Sequence, residues 1–309
     1  MHNVGVTVLQ TEQRTASKKP FKETFRFSLY SLLTCLSPEL STRVQYRIQN
    51  GRPLHLHPPV SFSEKLSWLK LKSYAHDPLV RRCTDKLAVR SYVKECGCDD
   101  LLNELLGVYS STEDIPWDKL PERCVLKWNF GCGFNLFVNK ASDFDPVAAS
   151  AQLNAWRRVK YWNYHAELQY KGIEPRILCE RFLDTPHGEA LIDYKFYSFS
   201  DKVRAVLVIE RKEGTPARAV FMTPDWRYLS DIPSRYHESF LPKRPLSLER
   251  MIAAAERLSA PFPFVRVDFY ELDGKPIFGE MTFTPAASIN PSECLIDGKT
   301  MGELLSLEV

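Results

Sequence analysis

Four polar side chains near the end of the chain, within residues 264–285, have the types and spacing that bind a hard cation and phosphate. Arg266 and Asp268 lie in one apolar run, and Glu280 and Thr282 lie in the next. Because alternate residues of a strand share a face, each pair projects from one side of its strand. Mg²⁺ takes a few protein oxygens and keeps its other positions for water and phosphate, so two carboxylates beside a hydroxyl would suit it. The alternative is a surface hairpin with a cross-strand ion pair.

The turn between the two runs decides whether the two pairs share a face. A two-residue Asp-Gly turn, 273–274, would place Asp268 and Glu280 on opposite faces. A three-residue loop, 272–274, with its glycine left-handed and a bulge, would pair Arg266 with Glu280. The apolar pattern favours the second register, because it collects one apolar face from Val265, Val267, Phe269, Ile277, Met281 and Phe283. That register predicts all four polar side chains on the other face.

A glycine-rich loop in the middle of the chain is a second candidate for phosphate binding. Gly131-Cys132-Gly133 separates two apolar, strand-like segments, and Lys127 lies inside the first of them. Glycines let backbone N–H groups approach phosphate oxygens, and a lysine in an apolar strand is unfavourable unless an anion pairs with it. A strand–loop–strand context excludes a Walker A motif and a Rossmann fingerprint, since each needs a following helix. The alternative is an ordinary turn.

Cationic side chains alternate with apolar residues along the strand-like segments that follow. They are Arg181, Lys195, Arg211 and Arg218. As a set, they would line a cleft for an anion. The alternative is pairing with acidic neighbours in the same hairpin, Asp193 and Glu210.

The elements that must position these side chains are a mixture of hairpins and helices. Strand patterns occupy 106–109, 124–128, 136–138, 176–183, 193–199, 203–210 and 217–222, before the hairpin at 264–285. Helical periodicity is found at 23–33, 38–49, 63–71, 86–94, 146–160 and 246–258, with Ser63 as the N-cap of the third helix. Runs of antiparallel hairpins with a few helices predict an α+β fold rather than a doubly wound sheet.

The composition is that of an ordinary soluble protein. The 309 residues are 44% hydrophobic and 26% charged, which allows a large core divided into subdomains. No apolar run is long enough to span a bilayer, and the N-terminus lacks a signal-peptide pattern, so we expect a cytoplasmic protein with free thiols. Cys96-Gly97-Cys98 lacks the second Cys or His pair that a zinc site needs.

The charge is unevenly distributed along the chain. Residues 1–94 carry 16 Lys and Arg against 6 Asp and Glu, whereas the net charge of the whole chain is only +3. The basic N-terminal third would suit polyphosphate, nucleic acid, an anionic membrane surface or an acidic polymer. The alternative is a solvated surface without a partner.

Taken in order along the chain, these residues resemble the TupA-like proteins of the ATP-grasp superfamily, which occur in surface-polymer gene clusters. The resemblance extends from Phe62 to Leu305. It is carried by Glu64-Lys65-Leu66 with Trp68-Leu69-Lys70-Leu71, by Asp85 to Arg90, by Phe262 to Tyr270 and by Glu280 to Pro285. The resemblance implies an ATP-grasp fold, in which two α+β subdomains clasp ATP, with an N-terminal helical extension.

The implied domain organisation is a basic N-terminal extension at 1–60 and an ATP-grasp region at 61–309. Within that region we expect an N-terminal helical and α+β part at 61–120. A flap subdomain would follow at 121–185, and a C-terminal metal-binding subdomain at 186–309.

The resemblance also implies roles for the candidate site residues. The ATP phosphates would contact Lys86 and Lys127 beneath a mobile flap formed by Gly131, Cys132 and Gly133. Adenine and ribose would contact a hinge strand formed by Glu180, Arg181, Phe182 and Leu183, and the nucleotide site would also include Lys195. Mg²⁺ would be held by Asp268, Glu280 and Thr282. The transferred phosphoryl group would be neutralised by Arg266 and Arg211.

The implied chemistry is carboxylate activation. A substrate carboxylate attacks the γ-phosphorus of Mg-ATP, and an amine then displaces phosphate from the acyl phosphate. The substrates would be a small-molecule carboxylate and amine, or an acidic glycan acceptor, in the synthesis of capsule, O-antigen or a similar surface polysaccharide. Polysaccharide-assembly proteins would be partners, nucleic acid would not, and the basic third would allow peripheral contact with the inner face of the membrane.

The sequence departs from the family pattern in two places. Relatives usually carry His-Gly-Ser-Gly in the flap, where this chain has Phe130-Gly131-Cys132-Gly133, and glycine where it has Ala286-Ala287. Two alternative functions therefore remain open. One is ATP-dependent phosphoryl transfer to a sugar hydroxyl, and the other is a non-catalytic nucleotide-binding subunit of a polymer-assembly complex.

Overall fold

The computed structural model describes residues 21–185, 191–211, 215–229 and 240–307. Its helices are α1 (Phe21–Leu36), α2 (Pro38–Asn50), α3 (Phe62–Trp68), α4 (Pro78–Thr84), α5 (Val89–Glu95), α6 (Pro146–Arg157), α7 (Tyr161–Tyr164), α8 (Leu248–Ser259) and α9 (Met301–Leu304). They pack with two antiparallel sheets, which confirms the predicted α+β class.

The larger sheet has five antiparallel strands in the order β7-β6-β5-β8-β9. They are β5 (Ile192–Phe199), β6 (Lys202–Glu210), β7 (Arg218–Met222), β8 (Phe264–Leu272) and β9 (Lys275–Thr282). Because β5 is central and covered on both faces, every residue from Asp193 to Phe199 is buried. Helix α8 packs on this sheet through a stripe at helical spacing, Met251, Ala255 and Leu258.

The turn between β8 and β9 is shorter than the sequence predicted. It has two residues, Asp273 and Gly274, with φ of 51° and 70°, and Leu272 pairs with Lys275. This is the positive-φ geometry that matches the twist of adjoining strands, and Asp and Gly both tolerate it. The predicted three-residue loop is therefore wrong.

A bulge in β9 restores the shared face that the longer loop was expected to provide. Gly279 is the extra residue, lying between the pairs Asp268–Glu280 and Phe269–Phe278. Arg266 accordingly pairs with Thr282 rather than with Glu280, which corrects the predicted register. The bulge also exchanges two apolar positions: Phe278 joins the core in place of Ile277.

The smaller sheet has four antiparallel strands in the order β1-β4-β2-β3. They are β1 (Leu105–Tyr109), β2 (Arg123–Trp128), β3 (Asn135–Asn139) and β4 (Ile177–Arg181). Trp128, Val138 and Ile177 form a second core with Leu153 of α6. The remaining strands, β10 (Leu295–Ile296) and β11 (Lys299–Thr300), make a short ribbon near the end of the chain.

Helix α2 belongs to the folded body although it lies within the predicted extension. Gln45 Nε2 donates to the Tyr164 carbonyl at 2.9 Å, and Asn50 Nδ2 donates to the Ile289 carbonyl at 3.0 Å. Tyr46 between them is fully buried. These bonds join α2 to α7 and to the segment after β9. Residues 1–20 of the predicted extension lie outside the described residues.

Helix α3 begins two residues earlier than predicted, because Ser61 rather than Ser63 is its N-cap. The Ser61 hydroxyl accepts from Glu64 N, and Glu64 Oε2 accepts from Ser61 N at 3.0 Å, which is a complete capping box. Burial favours the neutral form of Glu64, but bonds from Ser61 and Arg52 outweigh it and lower its pKa to about 2.

A turn of π-helix, Leu69–Ser73, follows α3 directly. Lys70 lies within this turn and is fully buried. None of the helices described is both long and apolar enough to cross a lipid bilayer.

Candidate functional site

A buried carboxylate with two cations lies at the centre of the larger sheet. Asp268 accepts from Arg266 Nε through Oδ1 and from Arg266 Nη2 through Oδ2, both at 2.7 Å. Lys195 on β5 lies directly opposite and approaches Asp268 Oδ2 at 2.5 Å. Arg266 and Asp268 share a face because they are two residues apart on one strand. Only 4% of the Asp268 side chain is exposed.

The charges in this group stabilise the ionised carboxylate. Burial favours the protonated form of Asp268, but the positive charges of Arg266 and Lys195 outweigh it and lower its pKa below 3.8. Asp268 is therefore an anion at neutral pH, with both oxygens held in a fixed orientation.

Glu280 and Thr282 complete the polar face on β9. The Thr282 hydroxyl lies 3.3 Å from Glu280 Oε1 and 3.1 Å from Arg266 Nη2. The nearest cations to the Glu280 carboxylate are Lys86 at 3.7 Å and Arg266 at 3.8 Å. With 35% of its side chain exposed, Glu280 is the accessible carboxylate of the pair.

Asp193 extends the cluster toward Arg211. Its carboxylate bonds to Arg211 and lies 3.9 Å from Lys195 Nζ. The Arg211 side chain is 38% exposed, so part of it is accessible from solvent. Asp193 thus links Arg211 to the Lys195–Asp268 pair. From the sequence, Asp193 was predicted only as an ion-pair partner for the cationic residues of its hairpin.

Lys86 connects the β8–β9 hairpin to the glycine-rich loop. Its Nζ donates to the Gly131 carbonyl at 2.5 Å and lies near Glu280. The Lys86 backbone N–H donates to the Asn129 carbonyl at 2.8 Å, and Asn129 Nδ2 donates to Asp85 at 3.0 Å. These bonds fix the start of the loop against the turn that precedes α5.

The glycines of the loop are required by its backbone. Gly131 and Gly133 have φ of 72° and 77°, a region that L side chains rarely adopt. A Cβ on Gly131 would lie 2.8 Å from the Tyr161 ring, so that ring packs directly on the loop. Phe134 meets the same ring edge-on at 5.9 Å. The exposed Cys132 lies between the two glycines.

A second carboxylate with two cations lies on the smaller sheet. Glu180 Oε2 is 2.7 Å from Lys127 Nζ, and its Oε1 is 3.6 Å from Arg90. Arg90 also donates to the Asn103 carbonyl at 2.7 Å. Lys127 and Glu180 come from adjacent strands whose side chains point to one face. Sequence reasoning missed Arg90, whose only signal was its place in the segment 85–90.

Other predicted site residues point elsewhere. Arg181 follows Glu180 on β4 and projects to the opposite face, where it approaches exposed Glu104 at 3.5 Å. The Phe182 ring lies beneath the Arg123 guanidinium at 3.9 Å. Leu183 is half-buried beyond the end of β4. Arg218 bonds to Glu210, so the cationic side chains of the middle strands do not form a single cleft.

A buried polar network that the sequence did not reveal lies beside the hairpin. The Thr284 hydroxyl donates to Glu167 at 2.6 Å and accepts from Gln169 at 2.8 Å. Lys70 Nζ donates to the carbonyls of His165 and Ala287 at 2.9 and 3.0 Å. The signal available was a lysine between apolar residues in Leu69-Lys70-Leu71, four residues after Leu66 and therefore on the same helix face.

The network holds an unusual turn after β9. Ala286, Ala287 and Ser288 have φ of 48°, 56° and 65°, three successive left-handed residues without a glycine. The Ser288 hydroxyl lies 3.1 Å from that of Ser67. Left-handed alanine is strained, and such strain is retained where surrounding contacts impose it.

Within the described ranges, no three His, Cys, Asp or Glu side chains converge on a point that could hold a metal ion. The hairpin face offers two carboxylates and one hydroxyl, so a hard cation there would need water or phosphate oxygens as further ligands.

Comparison with solved structures found several partial likenesses. D-alanine–D-alanine ligase from Bacillus anthracis complexed with ATP is 16% identical, with a TM-score of 0.37, over 72% of this chain and 56% of that chain. L-amino acid ligase from Bacillus licheniformis is 16% identical, with a TM-score of 0.42, over 68% of this chain and 44% of that chain. The ADP complex of N5-carboxyaminoimidazole ribonucleotide synthetase is 14% identical, with a TM-score of 0.41, over 72% and 51%. This chain spans about half the length of these structures.

The search of curated proteins found no match. The family model described as TupA-like ATPgrasp matches residues 64–302, which is more than half of the chain. The matched segment contains both sheets, the glycine-rich loop and the polar hairpin. The chain therefore belongs to the TupA-like ATP-grasp family.

Proposed function

We propose that this protein is an ATP- and Mg²⁺-dependent carboxylate–amine ligase that works through an acyl phosphate. The observation that carries the proposal is the polar face of the β8–β9 hairpin. There Asp268 and Glu280 are cross-strand partners, Arg266 and Lys195 adjoin them, and Lys86 connects them to the glycine-rich loop.

Lys86 and Lys127 would bind the ATP phosphates. Each Nζ already has an anionic or carbonyl partner, which is Gly131 O for Lys86 and Glu180 for Lys127. A phosphate oxygen carries more charge than the carbonyl and would compete for Lys86. We infer that nucleotide binding releases the loop from Lys86 and lets its backbone N–H groups turn toward the phosphates.

Arg266, Arg211 and Lys195 would neutralise the transferred phosphoryl group. Charge neutralisation and positioning are the main protein contributions to phosphoryl transfer, since no covalent catalysis is needed. Arg211 is the most exposed of the three and would reach the γ-phosphate or the substrate carboxylate. Arg266 and Lys195 would act from fixed positions.

Mg²⁺ fits the donor set of the hairpin. An ionised carboxylate offers about four acceptor positions. Arg266 and Lys195 use one position on Oδ1 and two on Oδ2 of Asp268, so Oδ1 keeps one for a cation. Glu280 and Thr282 would supply further oxygens. When bound, the ion would offset phosphate charge as a Lewis acid.

The glycine-rich loop would close over the reacting groups and exclude water, which otherwise hydrolyses an acyl phosphate. Its Phe130 and Cys132 replace the polar residues that relatives usually carry, so closure here would depend on backbone donors and the Tyr161 contact. The hinge, Glu180 to Leu183, would meet the base through its backbone, since the Arg181 and Phe182 side chains are engaged elsewhere.

The substrate class proposed is a small carboxylate and amine, or an acidic glycan, in surface-polysaccharide synthesis. Family resemblance supports this assignment. The altered loop favours one other function, a nucleotide-binding subunit without turnover, because the loop lacks a side-chain donor for a tetrahedral or phosphoryl intermediate.

The test is Mg-ATP turnover with hydroxylamine and a panel of amino acids and uronic acids. Glu280→Gln is the test variant, and Glu249→Gln, an exposed glutamate paired with Arg244 at the start of α8, is the matched control. We expect hydroxamate from the wild type and the control, and a loss of about 10² or more in rate for Glu280→Gln. ADP without hydroxamate would indicate phosphoryl transfer instead. ATP binding without either product would favour the non-catalytic subunit.

A further inference from the structure

Glu167 is a buried carboxylate that the proposed ligase chemistry does not use. It is 4% exposed, and the Thr284 hydroxyl donates to its Oε1 at 2.6 Å. Lys70 acts on it through charge, without a hydrogen bond. An ionised carboxylate offers about four acceptor positions, and burying one is unfavourable unless cations or N–H groups occupy them. Among the residues described, Glu167 is therefore short of donors.

Asp268 shows the effect of a complete set of partners in the same protein. Arg266 and Lys195 give Asp268 charged donors, and its pKa is lowered although it is buried. The pKa of Glu167 is raised, because burial outweighs the charge of Lys70. What distinguishes Glu167 is the lack of a cationic donor in direct contact.

The charged groups around Glu167 are engaged elsewhere. Lys70 Nζ donates to the carbonyls of His165 and Ala287 at 2.9 and 3.0 Å, and these bonds hold its ammonium group. The His165 ring is neutral at physiological pH, since burial and the charge of Lys70 lower its pKa to about 3. A cation that contacts Glu167 would therefore come from a ligand.

Gln169 adds an unpaired acceptor beside Glu167. The Thr284 hydroxyl gives its proton to Glu167, so it can only accept from Gln169, whose Nε2 donates at 2.8 Å. These bonds orient the amide. Its Oε1 is buried and has no hydrogen-bond partner in the described part of the chain. A ligand with N–H donors would satisfy an oxygen that is otherwise unfavourable to bury.

Thr284 connects this pair to the polar face of the hairpin. It lies two residues beyond Thr282, and Phe283 between them is 2% exposed and packs in the core. Because successive side chains of an extended segment alternate, Thr282 and Thr284 point to the same side. Glu167 and Gln169 thus lie next to the proposed cation site, beyond the end of β9.

Two aromatic rings lie between the glycine-rich loop and this pair. The Tyr161 ring packs on Gly131 and meets the Tyr170 ring edge-on, with centroids 4.9 Å apart. Burial raises the pKa of Tyr170, and the charges of Glu167 and Glu280 raise it further, so both carboxylates lie within electrostatic range of one phenol. Movement of the loop would release these rings and open a path to the pair.

We propose that Glu167 and Gln169 form a binding site for the ammonium group of a primary amine, the acceptor substrate. A primary ammonium group has three N–H donors and a positive charge, and it would bond to both the carboxylate and the amide oxygen. Because Lys70 already offsets part of the charge of Glu167, hydrogen bonds rather than charge alone would carry the binding. The role of the amine as a substrate rests on the proposed ligase function, whereas its binding needs no turnover.

The test compares ethanolamine with choline, which has the same charge and hydroxyethyl group but no N–H donor. Saturation-transfer NMR measures binding to the full chain, with and without Mg-ADP. The test variants are Gln169→Leu, which removes the unpaired oxygen, and Glu167→Gln, which keeps the shape without the charge. Gln45→Leu is the matched control, because Gln45 is 3% exposed and its Oε1 has a partner, His165 Nδ1, at 2.6 Å.

We expect ethanolamine to bind and choline not to bind. Each test variant should weaken ethanolamine binding about tenfold or more, and the control should leave it unchanged. Circular dichroism verifies that each variant is folded. Equal binding of ethanolamine and choline, binding of neither, or ethanolamine binding that Gln169→Leu and Glu167→Gln leave unchanged would overturn the proposal.

Turnover with hydroxylamine separates this inference from the ligase function. Hydroxylamine is an uncharged nucleophile at neutral pH and needs no ammonium site, so Gln169→Leu should keep hydroxamate formation while it loses ethanolamine binding. Ethanolamine binding without hydroxamate in the wild type would support the ammonium site and count against the ligase. Hydroxamate without ethanolamine binding would count against the ammonium site alone.

Discussion

Each of the two sheets carries a carboxylate with two cationic neighbours, but the two clusters differ in burial and in the lengths of their contacts. Each holds one carboxylate between two cations: Asp268 with Arg266 and Lys195 on the larger sheet, and Glu180 with Lys127 and Arg90 on the smaller one. All three contacts of Asp268 are 2.7 Å or shorter, whereas Arg90 stands 3.6 Å from Glu180. The Asp268 side chain is 4% exposed and that of Glu180 11%.

This difference indicates which half of the candidate site is preorganised before a ligand binds. Asp268 lies on paired inner strands, where a buried ion group persists only with complete hydrogen bonding. Glu180 also lies on an inner strand, β4, but its side chain is more exposed and its contact with Arg90 is longer, so water or phosphate can replace that partner more easily. We infer that the larger sheet supplies a fixed frame, and that the smaller sheet exchanges the partner of Lys127 when nucleotide binds.

The largest effect should come from removing the carboxylate of the fixed frame. Asp268→Asn leaves Arg266 and Lys195 buried without their anion, and we expect a loss of about 3–5 kcal/mol in the free energy of unfolding. Urea unfolding measures this, with Asp225→Asn at an exposed pair as the control. A loss within 1 kcal/mol of the control would mean that water reaches Asp268, against the burial described here.

The same variant should change the acid dependence of stability. The pKa of Asp268 is lower in the folded protein than in the unfolded chain. Its contribution is therefore complete above pH 3.8 and declines as the pH falls below that value. Unfolding curves of Asp268→Asn should accordingly flatten in the acid range relative to the wild type. Parallel acid profiles for the two proteins would contradict the assigned direction of the shift.

The next largest effect should come from changing Gly279, the bulge residue that places Glu280 opposite Asp268. A Cβ on Gly279 would lie 3.0 Å from the backbone carbonyl oxygen of Asp268, and this oxygen cannot move away without moving β8. We expect Gly279→Ala to cost about 1–3 kcal/mol in unfolding free energy and to weaken Mg-ADP binding, because Glu280 adjoins the bulge.

A bulge glycine on the other sheet is the natural control. Gly107 lies at the irregularity in β1, and the atoms nearest to its Cβ would be those of the Tyr109 side chain, which can turn aside. Gly107→Ala should therefore be milder and should leave Mg-ADP affinity unchanged. Equal losses for the two glycines would show that the larger sheet is no more rigid than the smaller.

These glycines also mark the limit of what the sequence could predict. Hydrophobic alternation was sufficient to predict the hairpins and the α+β class, because this alternation reflects only the two-residue period of a strand. Hydrophobic alternation predicted the wrong register for this hairpin. A three-residue loop at 272–274 and a bulge at Gly279 both place the polar residues of the two strands on one face, so the pattern does not distinguish between them. The alternation of apolar residues indicates that the hairpin contains one extra residue, but it does not indicate whether that residue lies in the turn or in a strand.

The buried network was unpredictable for a related reason. Lys70 donates to the carbonyls of His165 and Ala287, which lie 95 and 217 residues away in the sequence. Glu167 and Thr284, 117 residues apart, are joined by tertiary packing alone. Residues brought together within one strand pair could be foreseen, and residues brought together between distant segments could not.

A smaller effect is expected on the exchangeable side of the site. Glu180→Gln keeps the shape but removes the charge, so Lys127, whose side chain is 15% exposed, would rely on water. We expect a loss of about 1 kcal/mol or less in unfolding free energy, well below that of Asp268→Asn. The affinity for ATP should rise or stay the same, because Lys127 no longer has to leave an anion.

Calorimetric titration with a non-hydrolysable ATP analogue measures that affinity, and Glu104→Gln, at the exposed edge beside Arg181, is the matched control. An affinity that falls by tenfold, about 1.4 kcal/mol, while stability is kept would mean that Glu180 itself binds the nucleotide rather than competing with it.

The smallest effect should be a gain, at the strained turn after β9. Ala286 has a φ of 48° and an exposed side chain, so its methyl group adds strain without adding packing. Glycine removes that strain but loses more entropy on folding, and we expect Ala286→Gly to gain about 0.5–1 kcal/mol in unfolding free energy. Ala141→Gly, an exposed turn position outside the positive-φ region, should lose a similar amount. If both substitutions destabilise equally, the turn relaxes in solution, and the network of Lys70 and Glu167 does not impose it.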